Sequence, residues 1–271
     1  MHSKGHHRTS WTCSLEELGA RPHLLAVFAL VATTLVLTCT DTRSGPVLLA
    51  DRFDRPDGLI SNSRADDPPA ASDPVWRVTS GSLFARRQTA WSGPVDSGRS
   101  DPGSGTGTGS AVLRIHTRAD DFADVEVALR LRIDRLVSTD RTPPQAWDGV
   151  HLWLRYRSPQ KLYSASVARR DGTVALKKKC PGGPSNGGTY YTLASAPGHR
   201  FDRARWVDVG ASAVNEGSGV RLRLIQEGRA VLDVVDRGEG CPPLRAAGAI
   251  GVRGDNAEMA FDDVTVRAVT P

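Results

Sequence analysis

From residue 111 onward, apolar and polar side chains alternate with a period of two. Val125, Val127, Leu129, Leu131 and Ile133 alternate with Glu126, Ala128, Arg130 and Arg132. Val150, Leu152, Leu154 and Tyr156 do the same against His151, Trp153, Arg155 and Arg157. A chain with this period buries one face as a β-strand, because successive side chains point to opposite sides. Residues 162–169 lead through Arg170-Asp171-Gly172 into 173–179, with Asp-Gly as the hairpin signal. Further strands are predicted over 190–194, 205–213, 219–226 and 230–235, the last two joined at Glu227-Gly228-Arg229. Residues 249–253 and 258–268 close the chain.

Ahead of this region the pattern is broken. Residues 47–53 read as a first strand, and the Pro-, Asp- and Ser-rich residues 54–74 as a loop. Residues 76–78 and 82–85 read as a short hairpin about Ser80-Gly81. Residues 92–110 hold Gly, Ser, Asp, Pro and Thr with almost nothing apolar, the composition of a flexible surface insertion without chemistry of its own. Helical periodicity is nearly absent after Cys39. Many short alternating strands spaced by turns predict an all-β fold, an antiparallel β-sandwich or jelly roll, as a single domain over 46–271.

The first 45 residues differ in kind. Leu24 to Leu37 carries no charge and follows Arg21, with Lys4, His6, His7 and Arg8 further upstream. A basic stretch before an apolar run of this length has the form of a signal peptide, and the run is short of the roughly 18–20 residues of a spanning helix. Export to the cell surface or the extracellular space is expected, with any membrane link made through this segment alone. Val36-Leu37-Thr38-Cys39 is similar to a lipobox, which makes Cys39 the candidate lipidation site. Thr38 departs from the small residue that motif wants. Lipoprotein, plain secretion and a retained signal-anchor therefore all stay open.

Composition changes the picture in two places. The chain has four cysteines, and only Cys180 and Cys241 fall in the folded part. Two cysteines in an exported domain are expected to bridge each other, closing a loop of about 60 residues worth roughly 4 kcal/mol by chain entropy. No His cluster near either one supports a zinc site. The formal charge of +5 is also uneven: residues 111–179 hold 14 Lys and Arg against 8 Asp and Glu. If Val150, Leu152 and Leu154 point inward, His151, Trp153, Arg155 and Arg157 share the opposite face. Arg130 and Arg132 sit likewise on the strand before, and Lys177 and Lys179 on the one that follows the Asp-Gly turn. Guanidiniums bind carboxylates and sulfates bidentately, and an indole stacks on a sugar ring. The competing reading is an ordinary solvated outer face, with Trp153 filling a strand and Trp76 and Trp206 in the core.

Several phrases together resemble a family. They are Trp147-Asp148-Gly149-Val150, Tyr163-Ser164-Ala165-Ser166-Val167 before the Asp-Gly turn, Trp206-Val207-Asp208-Val209 and Glu227-Gly228-Arg229. Gly248-Ala249-Ile250-Gly251-Val252-Arg253 then leads to Phe261-Asp262-Asp263-Val264-Thr265-Val266. In that order they resemble the concanavalin A-like lectin/glucanase superfamily, and most of all the laminin-G-like and 3-keto-disaccharide-hydrolase-like domains of secreted bacterial proteins. The resemblance implies two curved antiparallel sheets with the closing strand near the first. Function in that superfamily ranges across sugar binding, glycan hydrolysis, polysaccharide β-elimination and plain adhesion, so the resemblance leaves these open. It also allows a structural Ca²⁺ using Asp262 or Asp263 with Asp51 or Asp54. No other cofactor is expected.

The chemistry is narrower than the fold. A retaining glucanase of the superfamily presents Glu-x-Asp-x-x-Glu, and no such motif occurs in this chain. Asp233 and Asp236 lie three apart on a strand and so point to opposite faces, whereas hydrolysis needs two carboxyls across one bond. If the chain eliminates at a uronate, His151, Arg155 and Tyr163 are the candidates for base and neutraliser. There is no GxSxG elbow and no phosphate loop. Nucleic acid fits the charge, but export argues against it. Three readings follow: a monomeric lectin-like module binding carbohydrate, above all acidic polysaccharide; a polysaccharide lyase or, less so, a glycoside hydrolase; and an adhesion domain without a sugar site.

Overall fold

The computed structural model describes residues 44–63, 73–93, 111–140 and 142–270. The N-terminal apolar segment, Cys39 and nearly all of the 92–110 insertion lie outside these residues. The strands are β1 (Ser44–Asp51), β2 (Gly58–Asn62), β3 (Trp76–Ser80), β4 (Ser82–Ala85), β5 (Ala90–Trp91) and β6 (Val112–Thr117). They continue with β7 (Val125–Leu136), β8 (Gly149–Ser158), β9 (Lys161–Arg169), β10 (Val174–Ser185) and β11 (Gly188–Ala196). Last come β12 (Val207–Glu216), β13 (Gly219–Gln226), β14 (Arg229–Asp236), β15 (Ala249–Asp255) and β16 (Ala257–Val269).

These strands form two antiparallel sheets. One has the order β14-β13-β12-β7-β16-β5-β4-β2, with β1 also paired to β16. The other has the order β11-β10-β9-β8-β15-β6-β3. The closing strand does run beside the first, with Asp51 opposite Val264. The alternation along β7 is honoured: Val125, Val127, Leu129, Leu131 and Ile133 are all buried between the sheets. Facing them from the second sheet are Val150, Leu152, Leu154, Tyr163, Ala165 and Leu176. Phe53, two residues past the end of β1, lies in this core with its ring 5.4 Å from Phe261 and 6.1 Å from Trp76.

Two sequence expectations are corrected here. Residues 76–78 and 82–85 are strands, but they do not form a hairpin. β3 pairs with β6 in one sheet, while β4 pairs with β2 and β5 in the other. The chain turns the corner between sheets at Gly81 (φ +73°), where a Cβ would come within 2.6 Å of the Val112 carbonyl oxygen. Residues 54–74 are not all loop either. Leu59 pairs with Phe84, and Ile60 and Ser61 are buried, so a short strand lies inside the polar stretch.

The sheets are tied at one edge by covalent and ionic links. Cys180 on β10 is disulfide-bonded to Cys241, with Cα atoms 6.0 Å apart. One position before it in the inward register, Lys178 is fully buried and donates to Asp236 Oδ1 of β14 at 2.8 Å. Tyr163 donates its hydroxyl to Asp236 Oδ2 at 2.6 Å and accepts from the Leu244 amide at 2.9 Å. The Gly238 amide donates to Oδ1 as well, so this buried charge pair is hydrogen-bonded on every side that the fold presents.

Candidate functional site

The outer face of the β11-to-β3 sheet carries the side chains that alternate with the core. The ladder registers set them in rows across the strands. One row runs Arg114 (β6), Arg253 (β15), His151 (β8), Ser166 (β9). The next runs His116, Gly251, Trp153, Ser164, Lys177. The whole first row, with Ser164 and Lys177 of the second, lines a depression of about 510 Å³ together with Asp255, Tyr190, Trp147 and the tip residues Pro184, Ser185 and Asn186.

Its electrostatics are strongly cationic. His151 is buried, with Nδ1 2.9 Å from Ser166 Oγ and Nε2 3.3 Å from Asp255 Oδ2. Burial pushes the imidazole below its ordinary pKa, outweighing the Asp255 bond. A neutral ring with its proton on Nε2 satisfies both contacts. Burial pushes the Asp255 carboxyl up, yet Arg253 (Nε to Oδ2 2.7 Å), His151 and Arg114 hold it below the usual carboxylate range. Arg253 is thus neutralised. Arg114 and Lys177 are not: among the described residues neither has a hydrogen-bond or ion-pair partner. Burial lowers both pKa values, and the Arg253 charge lowers them further. Lys179 lies with its ammonium 4.8 Å from the centre of the Tyr190 ring, and burial, then Arg253 and Arg114, bring it down to about 8.

The face is aromatic on its other half. Trp153 stacks on Tyr156 at 5.0 Å, and Tyr156 stacks on His116 at 4.6 Å. Trp153 can lie flat there because its strand neighbour is Gly251, where a Cβ would meet an indole carbon at 2.9 Å.

Of the residues singled out in the sequence, His151, Trp153, Lys177 and Lys179 do lie on one outer face. The others go elsewhere. Arg130 and Arg132 lie on the outer face of the opposite sheet, where Arg130 pairs with Asp262 (2.7 Å) and Asp263 (2.8 Å) and Arg132 with Asp134 (2.7 Å). Both guanidiniums cover the ring of Trp206, which is half-buried on the surface rather than in the core. Arg155 breaks the alternation. Its backbone is left-handed (φ +49°) at a register shift, and its side chain is fully buried. It reaches Asp124 (2.9 Å), Asn215 (2.9 Å) and the Leu244 carbonyl (2.7 Å). Arg157 is exposed and donates to the Ala247 carbonyl at the strand end. Tyr163 points inward to Asp236. His151, Arg155 and Tyr163 therefore do not converge on one point.

Two of the calcium candidates are already bonded within the protein. Asp51 accepts from Arg55 and from the Trp76 indole N–H, and Asp262 carries Arg130. Among the described residues no three His, Cys, Asp or Glu side chains gather as a metal set.

Arg114, Arg253, Tyr190 and Trp147 were not among the candidate binding residues. The signal for the first two was present. Arg114 stands between Leu113 and Ile115, and Arg253 follows Ile250 and Val252, in the same period of two. Nothing in the sequence placed their strands beside that of His151.

No family model matches the chain, and no curated protein matches it. Solved structures do. An endo-1,3-β-glucanase from Streptomyces sioyaensis matches at 14% identity over 83% of this chain and 97% of its own, with a TM-score of 0.51. A structure from work on endo-acting O-glycanases that human gut microbiota express to initiate mucin breakdown matches at 12% identity, 83% and 100% coverage, and a TM-score of 0.52. At these identities the likeness is one of fold, and the fold is that of the concanavalin A-like lectins and glucanases.

Proposed function

We propose that this protein binds carbohydrate on the outer face of the β11-to-β3 sheet, and that its preferred ligand is an acidic polysaccharide. The observation that carries the reading is that Arg114 and Lys177, cations with no hydrogen-bond or ion-pair partner among the described residues, line a depression that also holds Tyr190 and Trp147. Desolvated cations without a directly bonded counter-charge are costly, and a ligand carboxylate or sulfate in contact with them relieves that cost. The aromatic rings offer apolar faces to sugar rings. Both structural neighbours above are described as acting on glycans, which agrees with a sugar site on this fold.

Binding is favoured over catalysis by what the site lacks. Among the described lining residues Asp255 is the sole carboxylate, held by Arg253 and His151, so no carboxyl pair of these residues spans a scissile bond. A β-eliminating enzyme is the second reading, because His151 and Tyr190 share the depression with arginines. Against it, both imidazole nitrogens are engaged within the protein, and burial raises the Tyr190 phenol despite the opposing Arg253 charge. Titrating the protein with galacturonan, alginate and heparin by calorimetry, while following ultraviolet absorbance of unsaturated uronate, separates the readings. Heat of binding with flat absorbance is the expected result; rising absorbance gives the lyase, and no heat with any polymer removes both.

Export is part of the same proposal. The basic stretch and apolar run up to Leu37 support it, and so does the Cys180–Cys241 disulfide, since such bonds persist in oxidising compartments.

A further inference from the structure

The depression is closed on two sides. On the first, the β10–β11 hairpin bends over the face. Tyr190 belongs to β11, separated from β15 by β10, β9 and β8, yet its hydroxyl accepts from Arg253 Nη1 at 3.1 Å. The hairpin tip, Pro184 to Asn186, lines the depression together with Arg114 and His151. On the second side the face is already filled. Trp153, Tyr156, Leu162 and Lys179 occupy outward positions of the sheet but are only 3%, 8%, 1% and 2% exposed. Outward side chains on an uncovered sheet would be open to water. Here the stacked rings of Trp153, Tyr156 and His116, with Tyr190 packed against them, use up the ring faces on which further sugars would lie.

Trp147, 48% exposed, also lines the depression and offers it a solvent-facing ring. A volume of about 510 Å³ is also that of a small-ligand pocket rather than of a long groove.

Resting on the reading above, we infer that the site holds the end of an anionic glycan chain: its terminal acidic residues enter the depression that Arg114 and Lys177 line, and the chain leaves past Trp147. A polymer interior, which must enter and leave the site, meets the hairpin on one side and the aromatic stack on the other.

Chain length tests this. Size-graded fragments of galacturonan, alginate and heparin, from the disaccharide to the polymer, are titrated into the protein at equal molar concentration of chains. One protein bound per chain at every length, with a per-chain Kd that stops changing after the shortest fragments, is the expected result. Protein bound in proportion to chain length would overturn end recognition while leaving acidic-glycan binding intact. No binding to any of the three series would overturn both.

Discussion

Tyr190 and Arg253 meet at 3.1 Å although three strands separate theirs in the sheet. The contact reports the curl of the sheet and the bend of the β10–β11 hairpin, and it makes Tyr190 a wall of the depression. Tyr190→Phe removes the hydroxyl alone and is expected to cost about 1 kcal/mol. Tyr190→Ala also uncovers Trp153 and Leu162 and is expected to cost about 2 kcal/mol or more. Urea titration of both variants checks the order; equal losses would mean that the ring does not cover the cluster.

Lys178 and Asp236 are both buried, and each is bonded within the protein. Lys178→Met leaves the carboxylate without its counter-charge and is expected to destabilise by about 3–5 kcal/mol. A loss below about 1 kcal/mol in denaturant unfolding would show that the pair is not closed to water.

The Cys180–Cys241 bond links residues 61 apart. By chain entropy its removal as a Cys180→Ser, Cys241→Ser double variant should cost about 4 kcal/mol, partly recovered if the loop from 237 to 248 keeps its hydrogen bonds. Thermal unfolding with and without reductant provides the measurement, and the double variant should no longer respond to the reductant.

Acid should weaken the fold through His151. Burial lowers its folded pKa beneath the unfolded value of about 6.5, with Asp255 opposing and Arg253 and Lys177 adding to the shift. As pH falls below that value the unfolded chain takes up the proton first, so stability declines until the folded pKa is reached. His151→Gln keeps a polar side chain facing Ser166 but does not titrate. Just below pH about 6.5 the wild type is expected to lose stability faster than the variant. Because burial also lowers the pKa of His116, the difference between the two profiles is the informative quantity. Parallel profiles would remove His151 as the source.

The sequence-level pattern reached as far as local periodicity reaches. Residues 125–133 and 150–154 alternate as read, and the closing strand returns to the first. The reading failed where the backbone leaves that period. At Arg155 a left-handed residue turns the side chain from the outer face into the core, and no glycine marks the place. It failed again where sheet membership mattered. Arg130 and His151 carry the same alternating signal, but their strands belong to different sheets, a fact set by long-range pairing. The Ser80-Gly81-Ser82 corner looks like a hairpin for the same reason: the turn chemistry is local, and the partner strands are not. The basic surplus was legible as a sum. Its division into paired arginines on one sheet and unpartnered cations on the other was not.

That division gives the most direct test of the central claim. Retention on immobilised acidic polysaccharide is measured for the wild type, for Arg114→Ala and Lys177→Ala, and for Arg130→Ala and Arg132→Ala. Each of the first two should weaken binding by about tenfold to a hundredfold, the worth of one charge-assisted hydrogen bond, with unfolding transitions like the wild type's. The other two, whose guanidiniums are already paired with aspartates, should bind as the wild type does. Loss of retention on removing Arg130 or Arg132, with Arg114 and Lys177 dispensable, would contradict the account.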